Sequence, residues 1–372
     1  MARAPLAEQT ESLPEIDRLE NFPHPRETEK LFGHQEAERE LAAAIASGRM
    51  HHAWLLAGPQ GVGKATLAYR AAKAALSRPT DRDMLRHSLD VDQNATAARQ
   101  VRALSHPGLL VIRRSWNQKD KRFPQSISVD EVRRLRSFLG HRGAEGSWRV
   151  VIVDTADELN INAANALLKS LEEPPAETVF LLVTSEPGRL LPTIRSRCRT
   201  LDLQRLNERD LEAAAGTALK AASREEPEAQ SRQLLVKLAA GSVRRYLSLE
   251  AGGGRELYQE IYALIAAMPD VRWAKVHQLA DTLAAPAAET RFELFFDLLL
   301  ELLARLVKAL AGGQGEPEEA QVAARLWRPE QLATVAEVWE TVAREKAETV
   351  ALNLDRKTLI LRTVSRIEAT TR

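Results

Sequence analysis

The sequence is poor in cysteine, in net charge and in long apolar runs. Its only cysteine is Cys198, and one thiol cannot form an internal disulfide or a four-cysteine zinc site. The formal net charge of +1 is too small to mark a protein that binds nucleic acid strongly by itself. No apolar run reaches the ~18–20 residues that a membrane helix needs. These absences predict a cytoplasmic protein that does not contact the membrane.

The 372 residues are enough for two or three domains. The first 25 residues are polar and are predicted to be a disordered tail. Apolar runs then alternate with helical patterns up to residue 205, which predicts an α/β domain with a parallel sheet at 26–205. Beyond it the strand signal ends, and we predict a small helical domain at 206–252 and an all-α domain at 253–372. The predicted fold class is therefore α/β plus all-α.

Individual elements follow from hydrophobic periodicity and from glycine and proline boundaries. Strands are predicted at residues 53–57, 109–113, 150–153 and 179–184. Helices are predicted at residues 31–47, 64–76, 129–139, 163–171 and 291–310.

A glycine-rich loop, GPQGVGKAT, follows the first predicted strand. Four of its residues match the phosphate-loop pattern G-x-x-x-x-G-K-[ST]: Gly58, Gly61, Gly63 and Lys64. In that pattern backbone N–H groups and the lysine hold phosphates, and the Ser/Thr hydroxyl binds Mg²⁺. Ala65 has no hydroxyl, and Thr66 is displaced by about 100° around the helix. Two interpretations stay open: a turn without ligand, and a degenerate site, including Thr66, that binds ATP or ADP without hydrolysis.

The third predicted strand ends in Asp154, which Thr155 follows. Working ATPases of this type place an aspartate here to hold Mg²⁺ and a glutamate next to it to polarise the attacking water. Threonine is no general base at neutral pH, so hydrolysis is predicted to be lost. In a purely structural interpretation Asp154 caps the next turn, and Asp157 and Glu158 are solvated.

The stretch ANALLKSLEEPPAETVFLLVTSEPGRLLPTIRSRCR, at residues 164–199, resembles the clamp-loader branch of the AAA+ ATPases. Within that branch it is most similar to the delta-prime subunits of bacterial DNA polymerase III. The resemblance covers roughly residues 34–250 and extends to the C-terminal part by architecture only. It implies a RecA-like AAA+ domain, a helical lid domain and a C-terminal collar that mediates oligomerisation, over the three ranges given above.

The resemblance also implies roles for single residues. Thr184 falls at the sensor-1 position, and Arg244 falls at the sensor-2 position of the lid. Arg197, in the Ser-Arg-Cys triplet, falls where clamp loaders present an arginine finger to ATP bound by the neighbouring subunit. A fixed charge on a planar fork suits that role. The alternative for Arg197 is an ion pair within its own domain.

The implied function is that of a non-hydrolysing member of the DNA polymerase III clamp loader, which places the sliding clamp on primed DNA in DNA replication. The implied partners are the gamma/tau and delta subunits, and through the complex the sliding clamp and primed DNA. The alternative is a catalytically active, gamma/tau-like AAA+ ATPase. A stand-alone nucleotide-binding module would give Arg197 no purpose.

In one respect the chain departs from this family. Many members carry four zinc-binding cysteines between the phosphate loop and the acidic strand, whereas residues 79–107 here contain none. We therefore expect no zinc and no required cofactor. His87 and His106 are expected to be surface histidines.

Overall fold

The computed structural model of the protein describes residues 14–78, 88–140, 148–312 and 317–372. The chain divides into two units, of which the first ends at Leu247 and the second begins at Ser248. The predicted lid at 206–252 thus lies mostly in the first unit, and its status as a separate domain stays a prediction.

The first unit is built on a five-stranded sheet with strand order β2-β3-β4-β1-β5. All neighbouring strands are parallel. The strands are β1 Ala53–Ala57, β2 Leu109–Ile112, β3 Arg149–Val153, β4 Thr178–Thr184 and β5 Arg199–Asp202. The strands β1 and β4 are buried at every position, because helices cover both faces of a parallel sheet.

Nine helices of the first unit are described in chain order, the last of which runs past Leu247. They are α1 Gln35–Ala46, α2 Lys64–Leu76, α3 Thr96–Arg102, α4 Val129–Gly140, α5 Ile161–Glu172, α6 Pro192–Arg195, α7 Glu208–Ala221, α8 Ala229–Ala239 and α9 Val243–Ala251. Alternate strand residues enter two hydrophobic clusters. Trp54 and Leu181 pack with α1 and α2 on one face, while Leu55 and Phe180 pack with α4 and α5 on the other.

Local sequence explains how the helix α5 is bounded. The side chain of Asn160 accepts a hydrogen bond from the Ala163 backbone N–H at 2.9 Å, which caps the free N–H groups of the first turn. Pro174 and Pro175 follow the last helical residue, Glu172, and proline cannot continue a helix.

The second unit is helical throughout its described residues. Its helices are α10 Gly254–Ala266, α11 Trp273–Ala284, α12 Glu289–Leu310, α13 Pro317–Leu326, α14 Leu332–Leu352 and α15 Arg356–Thr370. The 22-residue α12 buries one apolar face, including Phe292, Phe295 and Phe296. None of the helices described is both long and apolar enough to cross a membrane.

The prediction of a disordered tail up to residue 25 is wrong for residues 14–25. Phe22 and His24 are buried in the first unit. His24 caps a short 3-10 helix at Pro25–Glu27. The segment looks like a polar tail in sequence because it is held mostly by ion pairs, both within the segment and to Arg113, and less by apolar side chains. Residues 1–13 lie outside the described part of the chain.

Candidate functional site: a degenerate phosphate-loop pocket

The glycine-rich loop borders a cavity of 930 Å³ in the first unit. Residues from several separate parts of the unit line it, among them Lys64, Asp154, Ser185 and Arg244. The cavity lies beyond the carboxyl ends of β1, β3 and β4, which is where ligands bind in open α/β sheets. The residue set and the position together mark this cavity as the candidate nucleotide pocket.

All three loop glycines have positive φ, and Gly58 and Gly61 lie in close contact with their surroundings. A Cβ on Gly58, at φ +143°, would lie 2.1 Å from the carbonyl oxygen of Leu203. A Cβ on Gly61, at φ +77°, would lie 2.3 Å from the hydroxyl of Ser242. The backbone N–H of Val243 donates to the Gly61 carbonyl at 2.9 Å. The start of helix α9 is therefore packed directly on the loop.

The Lys64 ammonium has three oxygen partners within the protein. Its Nζ donates to the carbonyls of Gly58 at 2.7 Å and Pro59 at 2.6 Å, and to the Ser185 hydroxyl at 3.1 Å. Burial lowers the pKa of Lys64 to about 8, against the opposing effect of Asp157 and Asp154. An ammonium has three donors, so all of those on Lys64 are used inside the chain.

At the end of β4 the side chain that contacts Lys64 is that of Ser185. Thr184 is fully buried, and its Oγ1 accepts a hydrogen bond from the Glu186 backbone N–H at 3.2 Å. Ser185 lines the pocket. Thr184 does not line it, because successive side chains of a strand point to opposite sides; its assignment to the sensor-1 position stays a prediction.

Asp154 is almost fully buried, with 4% of its surface exposed. Burial first, and then the nearby Asp17 carboxylate, raise the pKa of Asp154. The next residue, Thr155, has a left-handed backbone with φ +55°. Its hydroxyl donates to the Asp154 carbonyl at 2.6 Å and to Glu158 Oε2 at 2.9 Å. No carboxylate therefore stands at position 155, where a general base would be.

The alternative in which Asp154 caps a turn while Asp157 and Glu158 are solvated is wrong. Asp154 lines the pocket. Asp157 Oδ1 accepts the backbone N–H of Ser185 at 3.1 Å. Glu158 Oε1 accepts from Arg114 at 2.9 Å. These contacts join chain segments that are distant in sequence, so local spacing does not reveal them.

The remaining predicted pocket residues take different positions. Gly63 precedes the first turn of helix α2 with φ +111°, and Ala65 and Thr66 line the pocket. Arg244 also lines it, and its Nη1 donates to the backbone carbonyl of Asp17 at 3.1 Å. The structure thus brings the glycine loop, Asp154 and Arg244 together, and it adds Asp17, which the sequence did not mark.

Arg197 lies outside the residues that line this pocket. Its Nη2 donates to Glu172 Oε1 at 2.9 Å, and its Nη1 donates to the Thr193 carbonyl at 2.9 Å. The side chains of Arg197 and Glu172 are 35% and 49% exposed. The ion pair of the structural alternative is therefore formed, at a place that is open to solvent. The neighbouring Cys198 has a pKa raised to about 11 by burial, which disfavours the thiolate.

In the described ranges no group of three or more His, Cys, Asp or Glu side chains could hold a metal ion. His106 is described, and its Nδ1 accepts the Gly108 backbone N–H at 3.0 Å. His87 lies outside the described residues. The expectation of no zinc stays a prediction.

Comparison with known proteins finds relatives among the subunits of bacterial DNA polymerase III. A family described as "DNA polymerase III, delta subunit" matches residues 33–207. DNA polymerase III subunit delta' of Escherichia coli is 32% identical over 71% of this chain and 73% of its own length. The corresponding subunit of Pseudomonas aeruginosa is 37% identical over 55% of this chain.

The chain matches only 57% of the length of this Pseudomonas protein. Other relatives match with lower identity. DNA polymerase III subunit tau of Bacillus subtilis is 29% identical over 60% of this chain and 37% of its own length. A solved structure, a gamma subunit-related protein of Thermotoga maritima, covers 90% of this chain and 100% of its own, at 20% identity and a TM-score of 0.43.

Proposed function

The chain belongs to the delta' subunit family of DNA polymerase III, and on that premise we propose that it is a non-hydrolysing member of a clamp loader. In this function it helps to place the sliding clamp on primed DNA, and it supplies Arg197 to ATP held by a neighbouring subunit. The chain would then be part of the DNA polymerase III holoenzyme without turning over ATP itself. The observation that carries the proposal is the state of the pocket, whose phosphate-binding and catalytic groups are missing or engaged.

The loss of hydrolysis rests on two positions that serve different steps. Ala65 offers no hydroxyl for Mg²⁺. The Thr155 hydroxyl is bonded to the Asp154 carbonyl and to Glu158, and it is no base for the attacking water. Lys64 is bonded to the loop carbonyls of Gly58 and Pro59, so a phosphate would have to displace these contacts. Each feature alone would slow hydrolysis.

The finger role rests on the exposure of Arg197. An ion pair between two exposed side chains contributes ~0–1 kcal/mol. Arg197 can therefore leave Glu172 at little cost when a phosphate of an adjacent subunit is near. Its separation from this chain's own pocket agrees with action on another subunit's nucleotide.

The proposed partners are the gamma/tau and delta subunits, with the sliding clamp and primed DNA reached through the complex. The second unit supplies a surface that fits assembly. Val350, Leu352 and Leu354 are 44%, 68% and 51% exposed, and apolar residues that are exposed together mark interaction sites. We place the subunit contacts of the collar at this end of helix α14.

Steady-state ATP hydrolysis tests the proposal against the ATPase alternative. The purified chain should hydrolyse ATP at the rate of a Lys64→Ala control, which lacks the phosphate-loop lysine. Added to gamma/tau and delta subunits, clamp and primed DNA, it should raise the rate of the assembled complex. Turnover by the isolated chain near ~1 s⁻¹, abolished by Lys64→Ala, would show an active ATPase instead.

A further inference from the structure

The segment Glu15–Glu27, here called the strap, is tied to the first unit by charged contacts. Arg113 donates to Glu15, and Arg26 Nε donates to the Arg102 carbonyl at 2.8 Å. Within the strap, Glu15 accepts two further hydrogen bonds from Arg26, at 2.7 and 3.0 Å. Hydrogen bonds between charged groups are about twice as strong as neutral ones, so several of them together can hold a segment that has few apolar residues.

Asp17 is a residue of the strap that lines the pocket. Its carboxylate contacts His24 Nε2 at 2.7 Å and also pairs with Arg113. Its backbone carbonyl accepts a hydrogen bond from Arg244. Only 9% of the Asp17 side chain is exposed, and none of the His24 side chain. The strap therefore occupies Arg244, which the resemblance assigned to nucleotide sensing.

Asp17 and Asp154 line the pocket together with Lys64 and Ala65, and other residues of the strap line it too. Mg²⁺ needs about six oxygen ligands in near-octahedral geometry and usually keeps several waters. Here Ala65 gives no side-chain oxygen, and the strap takes up both Arg244 and part of the pocket. The residues present do not fit a magnesium nucleotide.

We propose that Asp17 is a specificity-determining residue that excludes magnesium nucleotide from this pocket. Its carboxyl pairs with Arg113 and so anchors the strap on the pocket, while its backbone carbonyl holds Arg244. A magnesium nucleotide can bind only after the strap has left, so its apparent affinity falls by the fraction of molecules with the strap open. The inference rests on the proposed function only in treating the pocket as a degenerate nucleotide site.

The test compares two full-length variants with the wild type. Asp17→Ala removes the carboxyl that pairs with Arg113, and Glu20→Ala is the matched control, because Glu20 is an exposed acid of the same strap. The probe is a fluorescent ATP analogue with Mg²⁺, titrated against each chain. Asp17→Ala should bind it at least about tenfold more tightly than the wild type and the control, as expected if the strap is open in less than a tenth of wild-type molecules.

Hydrogen exchange of residues 15–27 reports the position of the strap in the same samples. Exchange should be faster in Asp17→Ala than in Glu20→Ala. Faster exchange without a gain in nucleotide affinity would overturn the inference. If Asp17→Ala does not fold, the same two measurements on the wild type test the inference. Magnesium nucleotide bound while the strap stays protected overturns the inference, whereas no binding, or binding that deprotects the strap, supports it.

The proposed function can fail separately. If the strap does not hinder nucleotide binding and the chain hydrolyses no ATP, only the inference about Asp17 is wrong. An Asp17→Ala variant that binds the nucleotide more tightly but hydrolyses no ATP supports the inference and leaves the proposed function intact. Turnover by the wild type, abolished by Lys64→Ala, defeats the proposed function.

Discussion

Replacement of Arg197 by alanine should lower the ATPase rate of a reconstituted clamp loader while leaving the isolated chain almost as stable as before. In the isolated chain the guanidinium has two described partners, Glu172 and the Thr193 carbonyl. The Glu172 pair is exposed and is worth ~0–1 kcal/mol. For a chain of this size a loss of about 1 kcal/mol moves Tm by no more than ~2–4 °C.

The expected effect on catalysis is much larger at the site that receives the finger. An arginine finger contributes ~10³–10⁵ in rate, which equals about 4–7 kcal/mol of activation free energy at 1.36 kcal/mol per factor of ten. The other sites of the complex keep their own fingers, so the total rate should fall by the share of the affected site. The separation between a small stability effect and a large site-specific rate effect distinguishes a finger from a structural ion pair.

Two further variants control for the ion pair and for the charge. Glu172→Gln breaks the same pair but keeps Arg197, so the complex should retain its full ATPase rate. Arg197→Lys keeps the charge but lacks the bidentate fork, and it should restore little activity. The assay is clamp- and DNA-stimulated ATP hydrolysis per assembled complex, with Tm measured on each isolated variant. A normal rate in a fully assembled Arg197→Ala complex would refute the finger.

Three other predictions concern assembly and stability. A chain that ends at Gly254 should keep its helical circular-dichroism signal but fail to co-purify with the gamma/tau and delta subunits. If it still binds these subunits at full affinity, the assignment of the oligomerisation collar to the second unit is wrong. Glu319→Gln should destabilise the second unit by roughly 1–3 kcal/mol, seen in denaturant unfolding, because the buried Glu319 accepts hydrogen bonds from Tyr258 and Arg305; an unchanged midpoint would contradict this. Burial alone would raise the pKa of Glu15, but hydrogen bonds from arginines lower it from 4.5 to about 2. The stability that Glu15 adds relative to a Glu15→Gln variant should therefore be complete above about pH 5 and should be lost as the pH falls from 4.5 towards 2. A difference in Tm between the two proteins that does not change between pH 3 and pH 6 would contradict this prediction.

The buried strands of the sheet could be predicted from the sequence, whereas the edge strand β5 could not. Strands β1 to β4 are confirmed within one residue at each end, because buried parallel strands consist of continuous apolar runs. Strand β5 was missed. Only Leu201 of its four residues is buried, so no apolar run or clear alternation marks it. Its place beside β1 is fixed by backbone pairing of Trp54 with Arg199, which leaves no pattern in the local sequence.

The same limit explains what was missed in the pocket. Lys64 and Asp154 were found because their positions follow from a fixed spacing after strands. Ser185, Asp157 and Asp17 act through contacts that connect distant segments, and such contacts leave no periodic signal. The tail prediction failed for this reason, since alternating charges are typical of disordered segments unless complementary charges elsewhere in the fold pair with them.

The partners of the three predicted phosphate-binding cations bear on which of them can act outside the chain. Lys64 is buried and bonded to loop carbonyls, and Arg244 is bonded to the strap carbonyl of Asp17. Moving either would leave partly buried carbonyls without that donor, at a cost of up to about 1–3 kcal/mol each. Arg197 has an exposed carboxylate that water can solvate after it leaves. Because Arg197 can leave its partner at a lower cost than Lys64 or Arg244, this comparison favours the proposal that Arg197 acts on the nucleotide of a neighbouring subunit.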